Sequence, residues 1–173
     1  MILGLDVNQL LSGLLPSKVY HSDFVLSILP SVTQIVLPDW TCNDNDYTVF
    51  DFSRFTQVES INIGNDCFFS VQTFKIDGLN RLKTIEIGKN SFTQKKNGNY
   101  GDEKSKSFHI LNCESLESIQ IDEYSFSDFG GEFDLKNLPK LKSIQIGIIG
   151  STSCNFFCGS FVIRGIEMNW IVE

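Results

Sequence analysis

The sequence predicts a single solenoid domain, mainly parallel β, with two short strands or extended segments per coil and little helix. Three observations carry that reading. Fifteen Phe among 173 residues recur in one pattern, Phe-x-Φ-x-x-Φ-x-x-Φ-x-x-Ile-x-Ile with Φ apolar, starting at Phe24, Phe50, Phe74, Phe108, Phe133 and Phe161. A period of about 20 to 50 residues marks stacked units, because each exposes an apolar face that only a neighbour can cover. Each unit then holds two stretches of period-two spacing, which is the spacing of strands. Finally, the start-to-start distances of 26, 24, 34, 25 and 28 residues leave no room for a long helix beside two strands and their turns.

Residues 1–23 precede the first unit. Leu5, Leu10, Leu11, Leu14 and Leu15 have roughly helical spacing ahead of Pro16, so a short N-terminal helix covering the first coil is expected. The solenoid proper spans 24–166 in about six units. In its clearest copy, Phe74-x-Ile76 and Ile85-x-Ile87 alternate as strands, while Leu79 and Leu82 step by three. That step suits a tight turn or a single 3₁₀ coil that keeps returning apolar groups inward. The second strand is dominated by β-branched Ile in four copies: Ile61/Ile63, Ile85/Ile87, Ile119/Ile121 and Ile144/Ile146. Gly64, Gly88 and Gly147 follow it, where a residue without Cβ lets the chain turn out of the sheet. A polar stretch at 93–107 explains the 34-residue spacing and reads as a solvated loop, peripheral to folding. Residues 167–173 form an incomplete C-terminal end, since Asn169 stands where an apolar residue is expected. The exposed edge after Ile146 is therefore expected to promote self-association.

The stretch Leu82-Lys-Thr-Ile85-Glu-Ile87-Gly-Lys-Asn90-Ser-Phe92 resembles the leucine-rich repeat consensus L-x-x-L-x-L-x-x-N-x-L, with Phe in the last place. Weaker copies are Val58/Ile61/Ile63/Asp66/Phe68, Leu116/Ile119/Ile121/Tyr124/Phe126 and Val32/Ile35/Leu37/Trp40/Cys42. The family's Asn place is filled by Asn90 and Asp66, and by Trp40, Tyr124 and Ile149 elsewhere. The chain is most similar to irregular, Phe-rich arrays of the BspA-like or protist kind. The resemblance implies a leucine-rich-repeat solenoid used in non-catalytic recognition of a protein partner, or as a scaffold, and the general crossover preference of parallel strands makes it right-handed.

Composition narrows the alternatives. With 14 Lys+Arg against 21 Asp+Glu the formal charge is −7, which disfavours nucleic acid. No apolar run reaches the roughly 18 residues of a membrane span, and the N-terminus lacks the basic region and cleavage site of a secretory signal. Five Cys and no N-x-Ser/Thr site lean towards a reducing, cytoplasmic setting.

Chemistry-bearing residues are sparse. Two His, His21 and His109, are too few for common zinc or triad constellations, and strand alternation turns His109 outward. Cys154 and Cys158 lack the further ligands of a tetrahedral set, and Cys113 occupies an apolar slot. No catalytic residue, metal ligand or cofactor is expected. The outward columns say more. Thr33, Glu59, Lys83, Glu117 and Lys142 share one register; Gln34, Ser60, Thr84, Ser118 and Ser143 the next; Val36, Asn62, Glu86, Gln120 and Gln145 the third. Asn62, Glu86, Gln120 and Gln145, between the two Ile of each second strand, are the candidate partner-binding residues. A merely soluble sheet would show polar residues there too. The other function classes weighed are a structural or surface-adhesion array and a carbohydrate-processing β-solenoid enzyme, which needs clustered carboxylates or basic groups on one sheet.

Overall fold

The computed structural model describes residues 32–97, 99–148 and 153–164. The expected N-terminal helix, the start of the first unit at Phe24 and the C-terminal end from residue 165 lie outside them. The described residues hold ten strands and no helix. These are β1 (Gln34–Leu37), β2 (Val49–Asp51), β3 (Ser60–Ile63), β4 (Thr73–Asp77), β5 (Thr84–Ile87), β6 (Ser107–Leu111), β7 (Ser118–Ile121), β8 (Glu132–Lys136), β9 (Ser143–Ile146) and β10 (Ser160–Arg164). Odd-numbered strands pair in parallel as β1-β3-β5-β7-β9, hereafter sheet A, and even-numbered strands as β2-β4-β6-β8-β10, sheet B. The chain thus alternates between two parallel sheets, one strand in each per coil.

Register follows the repeat residue by residue. Ile35, Ile61, Ile85, Ile119 and Ile144 are successive partners in sheet A, and Phe50, Phe74, Phe108, Phe133 and Phe161 in sheet B. A slip of one residue would expose every Ile and bury every polar neighbour, so the alternation locks the pairing. The inward bend is a 3₁₀-type turn in each coil. The amides of Val58, Leu82, Leu116 and Leu141 bond the carbonyls of Phe55, Leu79, Cys113 and Leu138, three residues back.

Phe residues fill the core in two columns. One stacks Phe50, Phe74, Phe108 and Phe133 at centroid distances of 4.7, 4.7 and 4.8 Å, nearly parallel. The other stacks Phe68, Phe92, Phe126 and Phe156 at 4.9, 4.7 and 4.9 Å. The columns meet edge to face, as in Phe74–Phe92 at 5.2 Å and 89°. Such ring pairs contribute about 0.5–1.5 kcal/mol each beyond area burial.

The second Phe column sits on unusual backbone. After each sheet A strand, two residues take positive φ with one residue between them: Trp40 and Cys42, Asp66 and Phe68, Asn90 and Phe92, Tyr124 and Phe126, Cys154 and Phe156. Left-handed backbone is uncommon for side chains of this size and costs about 1–2 kcal/mol per residue. What compensates lies between the pair. Ser91 Oγ accepts the Cys67 amide at 3.0 Å and donates to the Gly64 carbonyl at 2.9 Å. Ser125 Oγ accepts the Ser91 amide at 2.9 Å and donates to the Gly88 carbonyl at 2.6 Å. Cys67 does the same in the preceding coil, its Sγ accepting the Thr41 amide at 3.4 Å and donating to Pro38 O at 3.3 Å. The polar ladder is therefore Thr41–Cys67–Ser91–Ser125, buried from Cys67 onward and one residue after the place where the repeat consensus has Asn. Asn90 itself turns to the insertion, bonding Asn97 through both side-chain atoms at 3.0 Å. In the last coil the bond from Tyr124 N to Ser153 O sets Cys154 beside Tyr124, and Ile149 lies outside the described residues.

Gly88 is required by closeness more than by a turn. A Cβ there would lie 2.7 Å from the Gly64 carbonyl carbon and from Asn65 Oδ1 in the coil before, whereas Gly147 does take positive φ, +74°.

The stretch at 93–107 is an exposed loop over most of its length, anchored by buried residues at its two ends. Thr93, Lys106, Ser127 and Asp128 are buried, and Thr93 Oγ1 lies 2.9 Å from Ser127 Oγ. Lys106 Nζ pairs with Asp128 Oδ2 at 2.9 Å, with only 8% and 3% of the two side chains exposed, and lies over the Phe129 ring. Lys96 reaches back to Asp66 at 2.6 Å and to the face of Trp40, while Tyr100 reaches forward to stack on Phe157 at 4.1 Å. The insertion is thus largely exposed, as its polar sequence predicts, while a few of its side chains tie the turns of neighbouring coils together.

Candidate functional site

Sheet A presents its polar row where the sequence places it. Val36, Asn62, Glu86, Gln120 and Gln145 are register partners on consecutive strands, and all five are exposed. Parallel pairing spaces them about 4.8 Å apart, so the row is a straight line of amides, one carboxylate and one apolar end. Asn62 Nδ2 donates to Glu86 Oε2 at 2.9 Å, Gln120 Nε2 to Asp122 Oδ1 at 3.3 Å and Gln145 Nε2 to the Gly147 carbonyl at 3.3 Å. Each therefore has one local partner and keeps further donors and acceptors for a ligand.

The charged column beside this row resolves into pairs. Glu59 takes Lys83 and Arg81, each at 2.8 Å, and Glu117 takes Lys142 at 2.6 Å. Lys83 first, then Arg81, holds the Glu59 carboxyl below its usual range, and Lys142 does the same for Glu117. These exposed pairs keep register and contribute little to stability.

Beyond the C-terminal ends of the sheet A strands runs the rim of left-handed turns. Trp40 there is 68% exposed, and Tyr100 and Phe157 expose half or more of their surface. The repeat pattern marks Trp40 only as the occupant of the family's Asn place, and it does not mark Tyr100 or Phe157 at all. Their signal would be a large aromatic in a turn or insertion.

Sheet B carries the denser charge. Asp51, Lys75, His109 and Asp134 are register partners on its outer face. His109 does point outward, yet its side chain is only 18% exposed. Its Nδ1 lies 3.4 Å from Asp134 Oδ2, which Lys136 Nζ approaches to 2.8 Å. The Lys136 ammonium holds the Asp134 carboxyl below its usual range. Glu132, on the same strand and face, completes a set of three donors within 4.8 Å of one another. Sequence reasoning missed this group because His109 lies 23 and 25 positions from Glu132 and Asp134 and becomes their neighbour only through the β6–β8 register.

At the opposite turn, Asp77, Asn112 and Asn137 form a side-chain chain of 2.8 and 2.7 Å along a groove also lined by Gly78, Asn80, Glu114 and Pro139. These amides are occupied with one another. Cys113 behaves as core: burial pushes its thiol up to about 11, and that of Cys42 up to about 12. Neither is a reactive thiolate near neutral pH. Among the described residues no helix is long and apolar enough to cross a membrane.

No protein-family model, no curated protein and no solved structure matches the chain. The strand order shows an all-parallel, two-sheet array of solenoid type.

Proposed function

We propose that the chain is a non-catalytic protein-recognition module or scaffold of the leucine-rich-repeat type, reading its partner with the outer face of sheet A. The observation that carries this reading is the row Asn62, Glu86, Gln120 and Gln145, exposed and in strict register on a rigid parallel sheet. Five strands about 4.8 Å apart and four residues of about 3.3 Å give roughly 310 Å² before side-chain relief. A standard interface buries about 800 Å² per partner, so the contact must extend past the sheet. The adjoining rim supplies Trp40, and Trp is among the residue types that most often dominate binding energy. The partner is a protein that meets an amide-rich strip with polar groups and covers the indole.

The test is affinity capture with quantitative mass spectrometry, using wild type, the quadruple Ala variant at 62, 86, 120 and 145, and a sheet B control, Lys75→Ala. The reading expects proteins retained by wild type and control and lost by the quadruple variant, whose circular dichroism is unchanged. The same set retained by all three would reject it.

A second mode rests on β9. Ile146 is 37% exposed, whereas its register partners Ile63, Ile87 and Ile121 are buried, and Ile148 beside it is exposed as well. We infer that copies associate through this edge. Sedimentation velocity over a hundredfold concentration range should show association that Ile146→Lys removes; a monomer throughout would refute it.

A further inference from the structure

We propose that His109, Glu132 and Asp134 form a binding site for a divalent transition-metal ion on the outer face of sheet B. The site is independent of the recognition face on sheet A. Its donors stand on strands, and pairing fixes their positions: the β6–β8 register sets His109 opposite Asp134, and Glu132 precedes Asp134 by two on the same face. The three ligand atoms lie within 4.8 Å of one another.

The spacing itself is informative. His109 Nδ1 and Asp134 Oδ2 are 3.4 Å apart. That is at the long end for a direct interaction between the two groups, whose hydrogen bonds usually run about 2.7–3.2 Å. It matches the roughly 3.4 Å between two ligands of a tetrahedral ion bound at about 2.1 Å. Both side chains are sheltered, at 18% and 13% exposed, while Glu132 is exposed and gives the ion an entry route.

Charge favours a dication. With a neutral imidazole, the two carboxylates and Lys136 leave the cluster at net −1. Lys75, the register neighbour of His109 on the other side, is 3.6 Å from Asp77 and not directed at the site by that pairing. Lys136 takes one direction at Asp134 Oδ2, and the carboxylate keeps further lone pairs on both oxygens for the ion. One imidazole and two carboxylates suit Mn²⁺, Fe²⁺, Co²⁺ or Zn²⁺ better than Mg²⁺ or Ca²⁺, which take oxygen-only shells. Three protein donors leave a coordination position for water or for an anionic group of a second molecule.

Co²⁺ is the probe, because its visible absorption reports coordination and a thiolate ligand would add a strong near-ultraviolet band. The full 173-residue chain is titrated with Co²⁺ by absorption and calorimetry, then with Zn²⁺ in competition. The expected result is one equivalent bound without the thiolate band and displaced by Zn²⁺. Binding should weaken at least about tenfold in His109→Ala and in Glu132→Gln, be unchanged in Glu86→Gln, and be equal or tighter in Lys136→Met. Glu132 is exposed, so its variant keeps the fold, as circular dichroism would show, and it decides the matter should His109→Ala misfold. No binding by wild type, a thiolate band at the first equivalent, or full affinity in Glu132→Gln overturns the site.

Discussion

Ser91→Ala removes one oxygen from the centre of the array and tests whether the buried ladder holds neighbouring coils together. Ser91 is fully buried, and its hydroxyl both accepts the Cys67 amide at 3.0 Å and donates to the Gly64 carbonyl at 2.9 Å. The Ala variant orphans a buried N–H, at about 1–3 kcal/mol, and loses a second bond of about 1 kcal/mol, for a total of about 2–4 kcal/mol. Its own amide still reaches Ser125 Oγ, so the damage is confined to one junction. At a urea dependence of about 2 kcal/mol per molar the midpoint should fall by about 1–2 M, read by circular dichroism. The molecule contains its own control, because Cys67 fills the same slot in the preceding coil with a thiol that bonds in the same two directions. Ser91→Cys should therefore lose about 1 kcal/mol or less. Midpoints for Ala and Cys that agree with each other and with wild type would refute the ladder's role.

Ile85→Asp should unfold the array, since it places an unpaired charge at a fully buried point of the central strand, whereas Glu86→Ala next to it should cost under about 0.5 kcal/mol; equal midpoints would reject the assigned faces. Lys106→Met should cost about 3–5 kcal/mol by leaving the buried Asp128 charge without its ion pair, and adding Asp128→Leu should recover most of it; a neutral single variant would show that this pair does not anchor the insertion. Asp134 has its folded pKa depressed by Lys136, so it stabilises the fold above its unfolded value of about 3.9, and that contribution disappears as pH falls through the lower, folded value. Melting temperatures from pH 6 to pH 2 should consequently decline less steeply in Asp134→Asn than in wild type, and parallel curves would contradict the assignment.

What the sequence made legible was whatever repeats within one coil. Ile85-x-Ile87 beside Phe74-x-Ile76 is a local signal, and it located both sheets and their register because each coil repeats the same faces. The ladder was half visible. Asn90 drew attention through the consensus, although Cys67, Ser91 and Ser125, each small and polar before an inward Phe, were the buried set. The insertion's exposure was legible from its polar residues, but its buried anchor was not, because Lys106 and Asp128 are charged and far apart in sequence, and only the folded turn brings them within 2.9 Å. A burial that depends on pairing leaves no trace in either residue alone. The same holds for His109 and Asp134, whereas Asn62, Glu86, Gln120 and Gln145 were legible because strand alternation alone fixes which way they face.

The two Phe columns also bear on how such an array can change length. Every junction from Phe50 to Phe133 presents one ring to an identical ring at nearly the same distance, so neighbouring coils are interchangeable at their contact surfaces. A gene duplication or loss of one whole period joins surfaces that already match, while a gain or loss of a fraction of a period shifts every ring, rung and Ile out of line downstream. On packing grounds a change in length by one whole coil therefore disturbs the stacked core least. The insertion at 93–107 shows the other permitted route, growth at a turn, where added residues leave the stacked rings on either side in place.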